Sequence, residues 1–437
     1  MAFGTYTQTT TLETSTVTRA DLNAMLKEYM PYDLLRAEVE KRTYFIQKAQ
    51  KKTGYKGGVM PLPFEAGMAS SYRYGKLIQS AKITQSKYVK GLLEGYKEIW
   101  GAIKFDDHDL HRHDDMKQSF VGMLLKEVPR FADGLKELIS KAFLNGPSLT
   151  EVSGLTNAAT GHLQVARPEL LQYGQYVEIG ATTAKHTGYI SAIDMNTNDI
   201  LVVTAISDVD AGTNPVDFTA ATAIIVGDSL RIEDGFDASL QFTDLPSQLL
   251  SSANGGSATL FGLSKVKYPF LQAYNHDGSG IAANNILSTI FDAFTRTKTI
   301  GKMANPNEVI MSYKNLANAM KELEATGSGI GTGRQFTAGD RKVNAFGWTT
   351  IEVSGVKGVL TLVGINEMRD DIIYGLDWRN IDIHSNGMIE KIVTPDGNEF
   401  YTERTEDGYL YIVDIRFFGE LVVSMPSYQF IIHGINY

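Results

Sequence analysis

DDMKQSFVGMLLKEVPRFADGLKELISKAFLN, residues 114–145, carries the strongest periodic signal in the chain. Phe120, Leu124, Val128, Phe131, Leu135, Leu138 and Ala142 recur at spacings of three and four, which puts them on one stripe of an α-helix. About thirty residues at 1.5 Å each make a rod of roughly 45 Å. Pro129 removes a backbone donor inside the stripe and predicts a kink, and Asn145-Gly146-Pro147 predicts the stop.

Upstream the character changes. The first twenty residues include eight threonines and follow neither helical nor strand periodicity, so they read as an extended arm with no core of its own. Thr18 and Asp21 predict a helix start, Pro31 interrupts it, and a second helix is predicted from Tyr32 to Lys51 with Leu34, Leu35, Val39, Tyr44 and Phe45 on its apolar face. From Thr53 to about Leu110 the chain is dotted with glycine. Its stretches KLIQSAKITQSKYVKGL (76–92) and YKEIWGAIKF (96–105) have strand composition but too few apolar residues for a domain. A long two-stranded excursion is predicted, and a lone hairpin is marginal in water, so it needs a neighbouring surface.

Downstream, residues 170–235 read as all-β, with YVEIG, GYISAID, ILVVTAI and AIIVGDSLRIE as short strands between turn residues. After Asp237 helices and strands alternate. Ile286, Leu287, Ile290, Phe291 and Phe294 form one helical face, Glu308–Met311 a strand, and Leu316, Met320 and Leu323 a second helical face. The end reads as a β-meander with turns at Asn386-Gly387 and Pro395-Asp396-Gly397. In its long strand YLYIVDIRFF, Tyr409, Tyr411, Val413, Ile415 and Phe417 fall on one side.

At 437 residues, 43% apolar and 21% charged, the chain has room for two or three modules and the composition of an ordinary globular protein. No apolar run reaches the roughly 18 residues of a membrane span, and the start MAFGTYTQTTTLETSTVTRA lacks the apolar middle of a signal peptide, so a cytoplasmic product is expected. The absence of cysteine excludes disulfides, thiolate nucleophiles and Cys-ligated metal. The net charge of −9 argues against a protein that coats nucleic acid. It also hides an asymmetry: residues 51–105 carry ten Lys or Arg against three acids, net +7, and residues 165–237 carry three against eleven, net −8. The two segments either complement each other between subunits or are separately solvated faces.

Three stretches invite a chemical reading. Asp106–Asp115, DDHDLHRHDD, is the one concentration of metal-ligand side chains, but no second His-rich segment faces it, and acids ahead of a helix cap its amides and complement its dipole. Gly327–Arg341, GSGIGTGRQFTAGDR, is Gly-rich but lacks the Gly-Lys-Ser/Thr ending and follows a helix rather than a strand, so it reads as a loop. Asp208–Asn214, DVDAGTN, lacks the bidentate Glu and flanking helices of a calcium loop and reads as a polar turn. No catalytic residue, cofactor or metal site is assigned.

Taken in order, arm, basic hairpin, long kinked helix, β insertion, α/β module and closing meander resemble the major capsid proteins of tailed bacteriophages, the Hong Kong 97-like or Johnson fold. GAIKFDDHDLHRHDDMKQSF (101–120) is similar to the return strand of that family's extended loop running into its spine helix. NPNEVIMSYKNLANAMKEL (305–323) is similar to its axial strand-then-helix unit, and IVDIRFFGELVVSMPSYQFIIHGI (412–435) to its closing strands. The resemblance implies an α+β fold divided as 1–52 arm and first helices, 53–110 extended loop, 111–165 spine helix and start of the peripheral domain, 166–237 inserted β domain, 238–375 mainly axial domain and 376–437 closing meander. It implies a non-enzymatic, self-assembling shell of pentamers and hexamers that encloses DNA without reading its sequence, built in the host cytoplasm and found in the virion. A separate scaffolding protein, a portal and possible decoration proteins are the expected partners, with no membrane. It implies that Arg73, Lys76, Lys82, Lys87 and Lys90 of the hairpin meet acidic patches on neighbouring subunits. A nanocompartment shell of the encapsulin kind is the alternative, and a soluble metal-dependent hydrolase using Asp106–Asp115 a more distant one.

Overall fold

The computed structural model describes residues 43–55, 58–67, 87–93, 95, 97–106, 130–131, 134–135, 137–146, 148–181, 184–219, 224–237, 240–282, 285–301, 303–327, 342–343, 349–355, 358–391, 398, 400–405 and 408–436. They divide between two units, one drawn from Met1–Val39, Trp100–Gly134 and Ile389–Arg416, the other from Glu40–Ile99, Leu135–Met388 and Phe417–Tyr437.

The larger unit begins with a short helix, α1 (Tyr44–Lys48), whose Tyr44, Phe45 and Ile46 are buried. The helix expected to run on to Lys51 ends early. Gln50–Thr53 instead form strand β1, which lies parallel to Asp382–Ser385, and Lys52 pairs with Asp382 at 2.6 Å. Strands β2 (Met60–Gly67) and β3 (Lys87–Leu93) then form an antiparallel two-stranded ladder. The stretch YKEIWGAIKF is not the second arm of this hairpin: its strand, β4 (Glu98–Asp106), pairs elsewhere, with the long strand Gly408–Val423.

The expected rod over 114–145 lies mostly outside the described residues. Its last part, α2 (137–145), is helical and stops where NGP predicts. Gly146 has φ +82°, and a Cβ there would stand 2.4 Å from the Asp244 carboxylate, so only glycine fits. The end of α2 is well anchored. The Tyr374 hydroxyl donates to Leu144 O at 2.6 Å, and Phe143 packs on Phe45, Phe242 and Phe417.

A closed six-stranded barrel follows: β5 (Ser148–Asn157), β6 (His162–Val165), β7 (Tyr176–Ala181), β8 (Ala184–Asp194), β9 (Asp199–Val203) and β10 (Ser229–Arg231), ordered β10-β5-β6-β9-β8-β7. It takes in β5 and β6, ahead of residue 166 where the inserted β domain was expected to begin. Val152, Leu163, Val165, Val177, Ile179, Ile190, Ile200, Val202 and Leu230 fill its interior. In β6 and at Asp199–Val202 of β9 these alternate with less buried residues, as a half-buried strand requires.

The chain then passes through a five-residue helix, α3 (Leu245–Leu249), and a tight hairpin of β11 (Thr259–Leu260) and β12 (Leu263–Ser264). A mixed seven-stranded sheet comes next. Its strands are β13 (Tyr274–Asp277), β14 (Glu308–Met311), β15 (Lys342–Val343), β16 (Thr349–Gly355), β17 (Gly358–Gly364), β18 (Ile372–Leu376) and, from the end of the chain, Phe430–His433, in the order β13, Phe430–His433, β18, β14, β17, β16, β15. Helices α4 (Ile286–Ile300) and α5 (Tyr313–Gly327) accompany it. Ile286, Leu287, Ile290, Phe294 and Leu316 join Val309, Met311, Leu360, Leu362 and Ile432 in one core. Both helical faces and strand β14 match the sequence pattern. Glu322 of α5 accepts from the first amides of α4, Leu287 N at 2.6 Å and Ser288 N at 3.2 Å, so one helix caps the other.

The closing strands are β19 (Ile381–Lys391), β20 (Tyr401–Thr405), β21 (Gly408–Val423) and β22 (Phe430–His433). Asn386-Gly387 lies inside β19 and is not a turn. The ladder of an eleven-residue strand outweighs a two-residue turn preference there. In the smaller unit β20 pairs with the start of β21, and Phe400 packs edge-on against Tyr411.

Candidate assembly surface

The described part of the hairpin has two unlike faces. Leu62, Phe64 and Leu93 are buried against Leu260, Leu271, Phe418 and Val422. Pro61, Pro63, Tyr88, Lys90 and Leu92 are exposed on the other face. The expectation of a hairpin without a core is therefore corrected for this portion, because its base has a core within its own chain. The pattern Pro-Leu-Pro-Phe at 61–64 carried that information as strict alternation, hidden because proline usually signals a loop.

Why two prolines are tolerated follows from the register. Pro61 pairs with Leu92 and Pro63 with Lys90. The Leu92 N–H points away from β2 and donates to Phe261 O at 3.0 Å. Both proline pairs thus fall at the non-hydrogen-bonded positions, where an N–H would face outward. Nothing is lost inside the ladder, and the outer edge of β2, unpaired among the described residues, offers no donor at 61 or 63. Strand addition along that edge is disfavoured.

Both roots of the hairpin are fastened to β21. Tyr55 stacks on Phe418 with ring centroids 5.8 Å apart and donates to Gly95 O at 2.6 Å. Lys97 Nζ lies 3.4 Å from Glu420 and donates to Thr243 Oγ1 at 3.1 Å; the Thr243 amide donates to Glu420 at 2.6 Å. Burial pushes the Glu420 carboxyl above its ordinary range, opposed by Lys97 and these bonds. Of the hairpin cations expected to reach neighbours, Lys90 is exposed on the face described and Lys87 lies in β3 opposite Gly67. Arg73, Lys76 and Lys82 lie outside the described residues, as do residues 328–341 and most of Asp106–Asp115.

The acidic segment maps onto the barrel's turns. Asp194 accepts from Asn196 N and Thr197 Oγ1, Asp217 from Thr219 N and Oγ1, and Asp228 from Ile225 N. Asp208 accepts from Thr213 and Asn214 at 3.0 and 3.1 Å, so DVDAGTN is a polar turn whose carboxylate is already engaged. Among the described residues no group of three or more His, Cys, Asp or Glu is placed to hold a metal ion. The barrel is tied to the sheet by arginines. Arg369 bonds Asp371 at 2.8 Å and Glu151 of β5 at 3.2 Å, and Arg167 donates to the carbonyls of Met368 and Asn366. Glu151, Arg167, Arg369 and Asp371 help to line a cleft of about 340 Å³.

Solved capsid chains are similar to this one. The chain of the cyanophage A-1(L) capsid asymmetric unit is 11% identical, with 92% of this chain and 93% of that one covered and a TM-score of 0.48. The capsid of a native GTA particle gives 9% identity, 91% of each chain and a TM-score of 0.46. The satellite phage P4 procapsid, which includes its size determination (Sid) protein, gives 10%, 97% and 98%, and 0.40. No family model and no curated protein matches the sequence.

Proposed function

We propose that this chain is the major shell protein of a tailed-phage capsid. Many copies close an icosahedral shell of pentamers and hexamers around packaged DNA, assembled with a separate scaffolding protein and a portal in the host cytoplasm. The role is structural and no catalytic residue is assigned.

The observation that carries the reading is the order of elements. An antiparallel pair of Met60–Gly67 and Lys87–Leu93, a helix ending at Asn145, a strand-then-helix unit at Glu308–Gly327 and a long strand followed by Pro426 and a last short strand succeed one another in the order the resemblance implies. The hairpin supports it further. Its donor-poor edge and its exposed Pro61, Pro63, Tyr88, Lys90 and Leu92 suit a side-on contact with a neighbouring copy, with Arg73, Lys76, Lys82, Lys87 and Lys90 steering toward the carboxylates of a neighbour's barrel.

The test is to purify particles from the cells that make this chain, identify the most abundant polypeptide by mass spectrometry and image the particles. Shells of this polypeptide filled with DNA are expected. Recovery of the chain only as a monomer overturns the proposal, and a shell filled with a folded enzyme makes it a nanocompartment.

A further inference from the structure

Phe261 is an unusual residue where it stands. It is the first of the two residues linking β11 to β12, with φ +50°, followed by Gly262 at φ +77°. Two-residue links with both φ values positive favour Asn-Gly, because a bulky side chain is strained in the left-handed region. An aromatic residue in that conformation persists only where its surroundings hold it, and the surroundings here are the hairpin.

Three contacts converge. The Phe261 ring stacks on Phe64 of β2, centroids 6.0 Å apart and 18° between planes, and Phe64 also packs on Phe270 at 6.2 Å. Phe261 O accepts the Leu92 amide of β3. Gly91 of β3 lies against both residues: an added Cβ would stand 2.7 Å from the Phe64 ring and 3.2 Å from Phe261 Cβ. Missing bulk at 91 and extra bulk at 261 fit each other.

We infer that Phe261, with Gly91 and Phe64, is a clasp that fixes the base of the hairpin on its own subunit before any neighbouring copy binds. The inference rests on the shell-protein reading for its purpose. In an assembly built by draping, a hairpin fixed at its base does not have to be ordered anew by each contact, which lowers the entropic cost of association.

The test is amide exchange in the unassembled full-length chain, comparing wild type with Phe261→Asn and Gly91→Ala. Asparagine suits the turn, so the melting midpoint should hold or rise in Phe261→Asn. The Leu92 amide should nonetheless exchange about tenfold faster or more, with Ile310 in β14 unchanged. Gly91→Ala should accelerate the same hairpin amides from the other side of the contact. Wild-type protection of Leu92 in both variants overturns the clasp. Failure of the wild-type chain to form shells would overturn the shell reading and leave the exchange result standing on its own.

Discussion

Gly375→Ala should destabilise the seven-stranded sheet severely, for a reason visible in one contact. Gly375 of β18 lies opposite Phe430 of β22, whose side chain is fully buried. A Cβ at 375 would stand 2.0 Å from Cε1 and 2.1 Å from Cζ of that ring, about 1.5 Å inside ordinary carbon contact. The ring has little room to retreat, because it belongs to the core that includes Ile290, Phe294, Leu316 and Ile373. Overpacking a core costs about 1–3 kcal/mol, and an atom fixed to the backbone puts this case at the upper end, about 3 kcal/mol. That corresponds to a fall of roughly 6–12 °C in the melting midpoint of the larger unit at about 2–4 °C per kcal/mol. Phe430→Leu alone opens space and should cost about 1–2 kcal/mol. In the double variant the new methyl group occupies part of that space, so the two costs should fall short of their sum by about 2 kcal/mol. Calorimetry on the four proteins of the cycle measures the coupling. Strictly additive costs, or a Gly375→Ala midpoint within about 2 °C of wild type, would mean that the ring does not cover this glycine as described.

Three further outcomes are expected. Reversing charge at Lys82, Lys87 and Lys90 together should impair shell formation, seen by electron microscopy and sedimentation, with the melting midpoint unchanged; normal shells would reduce the hairpin's charge to a solubility role. Asp194→Asn, Asp217→Asn and Asp228→Asn together should keep the barrel's turns, since an asparagine oxygen accepts the same amides, yet weaken assembly and reduce its salt dependence. Assembly with an unaltered salt profile would identify the barrel's acids as a solvated face only. Lys265, buried and donating to Ser247 O and Leu250 O, has its pKa pushed down by burial to about 8 from 10.5. The unfolded chain keeps that proton between pH 8 and 10.5 while the folded chain releases it, so this group's contribution to stability rises with pH across that window and is flat below it. Lys265→Met should remove that part of the rise, and an unchanged pH profile in the variant would show that it arises elsewhere.

What the sequence disclosed and what it hid divide along local and non-local lines. The faces of α4 and α5, strand β14 and the stop at Asn145 were legible because each is set by a few neighbours in sequence: an apolar spacing, or a glycine that alone tolerates φ +82°. Several of the errors concern pairing with distant chain. Gln50 and Lys51 close a helical pattern but join Lys52 and Thr53 in a strand because Asp382–Ser385 offer a ladder. Asn386-Gly387 has the composition of a turn but is carried through as strand. β5 escaped notice because SLTEVSGLTN holds few large apolar residues, and its pairing with β6 shifts register twice. At the candidate surface, charge and the resemblance singled out Lys90 as a candidate. Its companions Tyr88 and Leu92 became recognisable only once the register fixed which side of the ladder they share.

The charge asymmetry looks different once the turns are seen. Part of the acid surplus of residues 165–237 has a local cause, since Asp194, Asp208, Asp217 and Asp228 each accept hydrogen bonds within their own turns, a use of Asp that a barrel of short strands multiplies. The acids therefore do not by themselves require a basic partner. Nor does the turn role neutralise them. The amide of Asn196 holds the Asp194 carboxyl below its ordinary range, and the Thr219 hydroxyl does the same for Asp217, so both stay ionised well into acid while exposed. The barrel's few cations are largely engaged at home, Arg167 with Glu169 and Lys185 with Glu178. Two of the hairpin segment's cations are engaged likewise, Lys52 with Asp382 and Lys97 with Glu420, and both lie at its roots. Charge at the roots serves the fold, whereas Lys90 stands on the exposed face. On the proposed shell reading, a surface of ionised carboxylates on one copy would meet a basic hairpin held at its base on another, electrostatic attraction would set orientation and rate, and the apolar Tyr88, Leu92 and proline face would supply the contact that lasts.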